Sequence, residues 1–471
     1  TLQRHSVGVK SIVSADAFGS LAGNPADLLM RMPGVEGESV GGDTRYIRIR
    51  GMSHQLNTIT MDGNRMADGG SAGATREYQF QQIGADSIER IEVTKSPTPD
   101  MDADSIGGAV NMVSKSAFDR SPERRLSGSY GGIWRPFDER DEVIRNFSVS
   151  YSEVLKDKIG IAFNYGHRGT RSLIDVSSQT HQALPAGVEG PAYTYNFMIG
   201  DTRNKRTRWG GALRLDYKWS ETTRFFANAT MNKHDEHANI VNTTWTTAQS
   251  IATLDANGNP TGTGRILPGY TDSMTEWRSF PNSTVNRGAQ TTHKIGKSWH
   301  YQVGGVHRDD TLNVDYDAYL STSDAIYPGN RTFTFIAREI GMRIERKDEP
   351  YRPEITQISG PNMTQIGSYV DNTYNIAAMT GVDEYWGSSI NVKKEIATVV
   401  PAYIKAGLRM REQTRDNTNT PWTGRYLGTG GVMNLAQFAN PNPENVIHDG
   451  RYPLLPTPTW PGRDTPGSAY G

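Results

Sequence analysis

The sequence of 471 residues contains no cysteine, which excludes a disulfide framework and thiolate-bound zinc. It has no surplus of charge. Its 50 Lys+Arg against 51 Asp+Glu leave a net charge of −1, so no overall field draws it toward nucleic acid or anionic lipid. Long apolar runs are missing as well: mean hydropathy is −0.60, and no stretch approaches the ~18 residues that a membrane helix needs. No charged-then-apolar leader precedes Thr1, which is uninformative about export. Neither a G-x-S-x-G elbow, a Ser-His-Asp arrangement nor a GxxxxGK[ST] phosphate loop stands out. No catalytic residue, cofactor or nucleic-acid partner is therefore expected.

Low hydropathy does not exclude every membrane protein. A barrel strand shows only alternate residues to lipid, so its average stays low even when it spans a bilayer. The 49 glycines and 9% aromatics point to a turn-rich, mainly β protein.

The first 121 residues read as a small α/β domain. Asn24-Pro25 offers an N-cap with proline at the first helical position, Ala26 to Met32 continue as helix, and Pro33-Gly34 end it. Short strands follow around Ile47 and Ile49, Ile59 and Met61, Ile91 and Val93, and Val110 and Met112, with Asp62-Gly63 as a turn signal. Arg65 to Arg76, rich in glycine and alanine, reads as a mobile loop.

From residue 122 onward the pattern changes to alternation. Phe147, Val149 and Tyr151 alternate with serines, and Ile159, Ile161, Phe163 and Tyr165 alternate with small or polar residues. Trp209, Leu213, Leu215, Tyr217 and Trp219 share a face opposite Arg214 and Lys218. Similar runs begin near Phe225, Trp299, Leu312, Trp386 and Ala402, giving about nine strands of the ~10-residue length that barrels use. Tight turns fall near 153–158, 220–224 and 308–311, whereas 169–206, 234–297 and 321–384 read as long loops. Magnitude decides the facing of 209–219. Arg214 and Lys218 on a lipid face would each cost up to ~2–4 kcal/mol, so the aromatic side faces out and the charges face a wet interior.

The segments LLMRMPGV, YIRIRGM, TITMDGNRM, IERIEVTKSPTPD and SIGGAVNMVSK occur in an order and spacing that resemble the plug of TonB-dependent outer-membrane receptors, over about 90 residues from Asn24 to Lys115. One motif departs: Lys95-Ser96-Pro97 stands where the family has a basic residue, then Gly-Pro. The resemblance implies a plug domain (1–121), then the N-terminal part of a transmembrane antiparallel β-barrel (122–471). About 9–10 of ~22 strands would be present, since only a barrel of that size houses a plug, so the natural protein is expected to continue past Gly471. It also implies import of a scarce ligand such as siderophore-iron, cobalamin or an oligosaccharide. Residence would be the outer membrane of a Gram-negative-type cell, among its lipid. TonB would engage through an N-terminal box that the sequence does not contain. Family roles map onto Arg50 of the RG motif and Lys95 as a latch to wall glutamates. Plug-apex contacts with ligand are expected at His54, Gln55, Arg65 and Arg76. A passive porin lacks the plug motifs; a secreted, glycan-binding β protein is the alternative.

Two clusters imitate metal sites. Asp100, Asp102 and Asp104 match the start of an EF-hand loop, but Ser105 and Asn111 replace its glycine and its glutamate, so a polar turn is expected. His234, Asp235, Glu236 and His237 fall in an expected external loop, where a solvated cluster is the simpler reading. No metal site is assigned.

Overall fold

The computed structural model describes residues 10–14, 24–40, 42–70, 77–85, 88–96, 101–102, 104–119, 122–134, 143–184, 186–187, 189–347, 349–397, 402–428, 430–441 and 452–459. In the opening domain, β1 (Lys10–Ser14) is followed by α1 (Pro25–Leu29), β2 (Val35–Val40), β3 (Asp43–Ile49), β4 (Asn57–Met61), β5 (Asn64–Arg65), β6 (Ile88–Thr94) and β7 (Gly108–Ser114). Asn24 caps α1 by accepting from the Ala26 N–H at 3.0 Å, with Pro25 behind it. The helix is shorter than the sequence suggests, closing at Met30.

Five strands form one sheet in the order β1-β6-β7-β4-β5, with β4 and β7 parallel. The β2–β3 hairpin stands beside it. Leu28, Leu29, Ile49, Met61, Ile91 and Val110 are among the side chains that close a core between helix, hairpin and sheet. Fully burying each such side chain is worth about 1.5–3 kcal/mol, so this unit has a core of its own.

The second sheet is a wall. It contains β8 (Arg125–Ile133), β9 (Ile144–Leu155), β10 (Ile159–His181), β11 (Thr194–Lys218) and β12 (Thr223–Thr246). Short strands β13 (Thr253–Leu254), β14 (Pro260–Thr261) and β15 (Met274–Trp277) precede β16 (Thr284–Arg308) and β17 (Leu312–Arg338). After β18 (Gly341–Glu345) and β19 (Glu354–Ser359), β20 (Tyr369–Ile396) and β21 (Ala402–Gly424) complete it. The nine long strands pair with their neighbours in chain order, all antiparallel. Turns at 156–158, 219–222 and 309–311 are tight, matching the sequence pattern. The strands are longer than the pattern suggests. Much of 169–206, 234–297 and 321–384, read as loop, is strand.

The alternation sorts the two faces. Leu213, Leu215, Tyr217, Phe225, Trp299, Tyr301, Leu320, Trp386 and Leu408 lie exposed on the face away from the opening domain. Arg214, on the other face, donates from Nη1 to Ser114 Oγ at 2.8 Å. Farther from the short turns the outer face is covered. Val241, Trp245 and Val285 keep the outward phase of His237 and pack with Trp277, Met342 and Tyr452 from the connections.

Candidate functional site

The wall's inner face holds the opening domain through polar contacts at several heights. Nearest the short turns, Ser116 Oγ donates to Asp216 Oδ2 at 2.9 Å, and Asn228 Nδ2 donates to Asp62 Oδ2 at 3.0 Å. Asp62 and Gly63 both have positive φ, 49° and 89°, the requirement of a tight hairpin turn that Asp-Gly meets at little steric cost. The turn aims one Asp62 oxygen at the wall and the other at the Ser114 N–H, 3.0 Å away. Asn64 Nδ2 donates to Asp317 beside it.

Midway, Asp102 accepts from Arg65 Nε at 3.0 Å within the opening domain and from Arg411 Nη1 at 2.5 Å on the wall, with Arg409 at 3.5 Å. Burial works to raise the Asp102 carboxyl, but Arg411 and Arg65 outweigh it and hold it below its usual range. Arg65 also pairs with Asp104. The Asp102 and Asp104 pair is therefore a salt-bridged turn, as expected; Asp100 lies outside the described residues.

Higher still, Met66 to Gly70 are buried rather than loose. The Ala67 N–H donates to Ser321 Oγ at 3.0 Å, the Asp68 N–H to Asp383 Oδ2 at 2.9 Å, and Tyr327 OH to the Gly70 carbonyl at 3.0 Å. A Cβ on Gly69 would stand 2.6 Å from the Gly381 carbonyl and 2.7 Å from that of Ser323. Only glycine lets this backbone approach the wall. Asp68 is fully enclosed, accepting from the Gly70 N–H at 2.7 Å and Gln82 Nε2 at 3.0 Å. Burial raises its carboxyl, against the pull of Lys294, the Gln79 and Gly70 N–H groups and Arg415. On β11, Arg206 and Arg208 both pair with Asp43, and Arg206 Nη2 also meets Glu236 at 2.7 Å. Lys294 Nζ donates to Gln79 Oε1 at 2.6 Å.

The charges across this interface have a sense. Asp43, Asp62, Asp68 and Asp102 come from the opening domain, and Arg206, Arg208, Arg214, Arg409, Arg411 and Arg415 from the wall. The latch expected from the sequence had the opposite polarity, basic plug to acidic wall. Arg50 sits in a left-handed turn (φ 56°) and donates to the carbonyls of Ile106 and Gly107, each at 3.2 Å. Lys95 Nζ donates to the Pro33 carbonyl. The bonds described for both residues stay inside the opening domain. The sequence does not single out Arg206 and Arg208, because Arg206 ends the stretch that reads as loop, 169–206, and Arg208 lies between it and the strand at 209–219.

Of the expected apex contacts, His54 is the best defined. Its ring stacks on Tyr46 with centroids 4.2 Å apart and planes 9° apart. Its Nδ1 lies 3.6 Å from Glu38 and its Nε2 3.5 Å from Glu77. Tyr46 OH donates to Glu77 at 2.9 Å, and burial, then Glu77, push the phenol up to about 12. The hairpin's turn lies well up the wall, where a Cβ on Gly42 would touch Ser172 and Ile174. Gln55 is exposed beside His54, Arg65 is engaged lower down by Asp102 and Asp104, and Arg76 falls outside the described residues. The His234–His237 segment is strand, not loop. Alternation splits it, placing His234 and Glu236 inward and buried, 3.3 Å apart, and Asp235 and His237 outward.

A small α/β domain seated on the polar face of a meandering antiparallel sheet defines a plugged barrel wall. Residues 3–109 match the family model described as TonB-dependent Receptor Plug Domain. No curated protein matches it. Among solved structures, it is similar to unliganded ferric citrate transporter FecA at 10% identity, over 89% of this chain and 74% of that one, with a TM-score of 0.30. The siderophore receptor PirA from Acinetobacter baumannii gives 11% identity, 89% and 78% coverage and 0.30. The ferric enterobactin receptor PfeA gives 12%, 87% and 78%, and 0.30. Likenesses this loose carry no argument, and the match to the plug model stands for residues 3–109.

Proposed function

We propose that this chain is part of a TonB-dependent receptor that resides in a Gram-negative-type outer membrane and imports a scarce ligand by energy-coupled rearrangement of the plug. Residues 1–121 act as the plug and 122–471 as barrel wall. The ligand class is siderophore-iron, cobalamin or an oligosaccharide. It meets the plug apex at His54 and Gln55, with Arg65 and Arg76 drawn in once the plug shifts. TonB supplies the pull from the periplasm, because the outer membrane has no ATP.

The observation that supports this reading most is the chemistry of the plug–wall contact. It consists mainly of hydrogen bonds and ion pairs on a face opposite an apolar belt. Such contacts exchange with water at modest net cost, about 0.5–1.5 kcal/mol for an ordinary hydrogen bond, so mechanical work can undo them one at a time. A greasy interface would resist. Arg50 and Lys95 brace the plug's own loops at rest and reach wall glutamates, as a latch, when the plug shifts.

The test is cell fractionation followed by uptake. The protein should sediment with outer membranes, require detergent, and change gel mobility on boiling. Uptake of a labelled ferric siderophore, cobalamin or oligosaccharide should depend on both this protein and TonB. Release into buffer without detergent would remove the reading in favour of a secreted β protein.

A further inference from the structure

A second site lies on the opposite face of the wall, outside the plug contacts. The pairing of β12 with β16 sets His237 directly across from His293, and Asp235 lies two residues earlier on the same face. The two imidazoles stack with centroids 3.8 Å apart and planes 20° apart. Asp235 Oδ1 lies 3.1 Å from His237 Nε2 and 3.2 Å from His293 Nε2. One ligating atom from each residue falls within 4.8 Å of the others.

The two N···O spacings are those of donors around a small cation, and the stacked rings swing apart so that both Nε2 lone pairs converge on it. Nitrogen and carboxylate oxygen bind zinc-sized ions at about 2.0–2.2 Å. Two such donors at an angle between a right angle and the tetrahedral one therefore stand about 3.0–3.5 Å apart. Both N···O distances already fit. The donor set of two imidazoles and one carboxylate suits first-row transition metals rather than calcium or magnesium, which prefer oxygen. We propose that Asp235, His237 and His293 bind one first-row divalent transition-metal ion of the zinc, nickel or cobalt type, tying β12 to β16.

The site's place gives the tie a purpose. His293 lies in the stretch where the pairing of β16 with β17 shifts register, between Thr291 and Ile295. A metal there pins the strand where its ladder is least regular. His237 is more than half exposed while Asp235 and His293 are about a quarter exposed, so water can complete the coordination shell. Lys205 stands beside His237 on β11. Its charge opposes the cation and sets the expected affinity in the micromolar rather than the nanomolar range.

The full chain in detergent, stripped with chelator, is titrated with cobalt(II) while its visible bands are followed, and zinc is then used as competitor. One equivalent should bind in the micromolar range. His237→Gln and His293→Gln should each weaken binding at least about tenfold, the scale of losses around protein metal sites. His307→Gln, at a short turn where it bonds to Thr223, should leave binding unchanged. Heat-dependent gel mobility reports that each variant is folded. Wild-type protein that binds cobalt no better than the folded double variant overturns the site. Ligand uptake plays no part in this readout, so the site and the import reading fail separately.

Discussion

The backbone N–H of Asp68 donates to Asp383 Oδ2 at 2.9 Å, carrying a hydrogen bond from plug to wall. Arg415 Nη2 reaches the same carboxylate oxygen at 3.0 Å and the Asp68 carbonyl at 2.7 Å. Three groups thus close a triangle in which each satisfies the other two. Asp383 is almost fully buried, and among the described residues Arg415 is the cation paired with it.

Removing one corner should therefore cost more than the contact's own worth. Stripping one partner from a buried pair costs about 3–5 kcal/mol, because the other charge is left uncompensated. Asp383→Ala and Arg415→Ala should each loosen the plug toward that scale, and the double variant should cost clearly less than their sum. The measurement is protease accessibility of the plug against denaturant for all four proteins. Additive losses would show that the triangle is not one unit.

At Asp62 backbone conformation and plug–wall contact meet in one residue. Asparagine tolerates the left-handed turn and keeps an oxygen acceptor, whereas alanine does neither well. Asp62→Asn should stay close to wild type, and Asp62→Ala should lower stability by about 1–3 kcal/mol, the scale of an unsatisfied buried hydrogen-bonding group. Thermal midpoints in detergent decide it. Equal losses in the two variants would mean that charge toward Arg214, 3.8 Å away, matters more than turn geometry.

The parts of this fold that sequence reveals share a physical cause. Leu213, Leu215, Tyr217 and Trp219 alternate with Arg214 and Lys218 because one face is bare apolar surface and the other is wet. That contrast writes a period of two. Higher on the same strand it fades. Arg206 and Arg208 point inward to Asp43 while Arg203 and Lys205 take the outward phase, so both faces are charged and the stretch resembles loop. Beyond, Trp245 and Val241 face outward yet are buried by the connections, which no single-strand pattern announces. The plug motifs were legible because tight turns such as Asp62-Gly63 demand particular residues. The acidic plug groups and their basic partners were not, since their matching is set by strands far apart in sequence.

Acid should release the grip at Asp102. Burial works to raise its carboxyl, but Arg411 and Arg65 hold it below the usual carboxylate range in the folded protein. A carboxyl with a depressed folded-state pKa contributes stability above its unfolded pKa and loses it as pH falls through the folded value. Plug retention should thus be flat from neutral pH to about 4 and decline below that. Asp102→Asn should be weaker at neutral pH and should show a smaller part of this acid decline. Protease protection between pH 3 and 7 checks both, and an unchanged acid profile in Asp102→Asn would assign the loss to other carboxylates.

The apolar belt makes the sharpest demand. Leu215 is exposed on the outer face, and its neighbour Asp216 on the inner face receives Ser116. If the belt meets hydrocarbon, arginine at 215 costs up to about 2–4 kcal/mol, falling toward zero near the interfaces. In water the same change is worth only about 0.5 kcal/mol, as for most surface substitutions. Leu215→Arg should therefore impair assembly into outer membranes and lower the temperature at which gel mobility changes. Glu221→Arg, at a solvent-exposed turn, should leave both unaffected. A Leu215→Arg protein that assembles and melts like wild type would mean that this face touches water, and the membrane assignment would go with it.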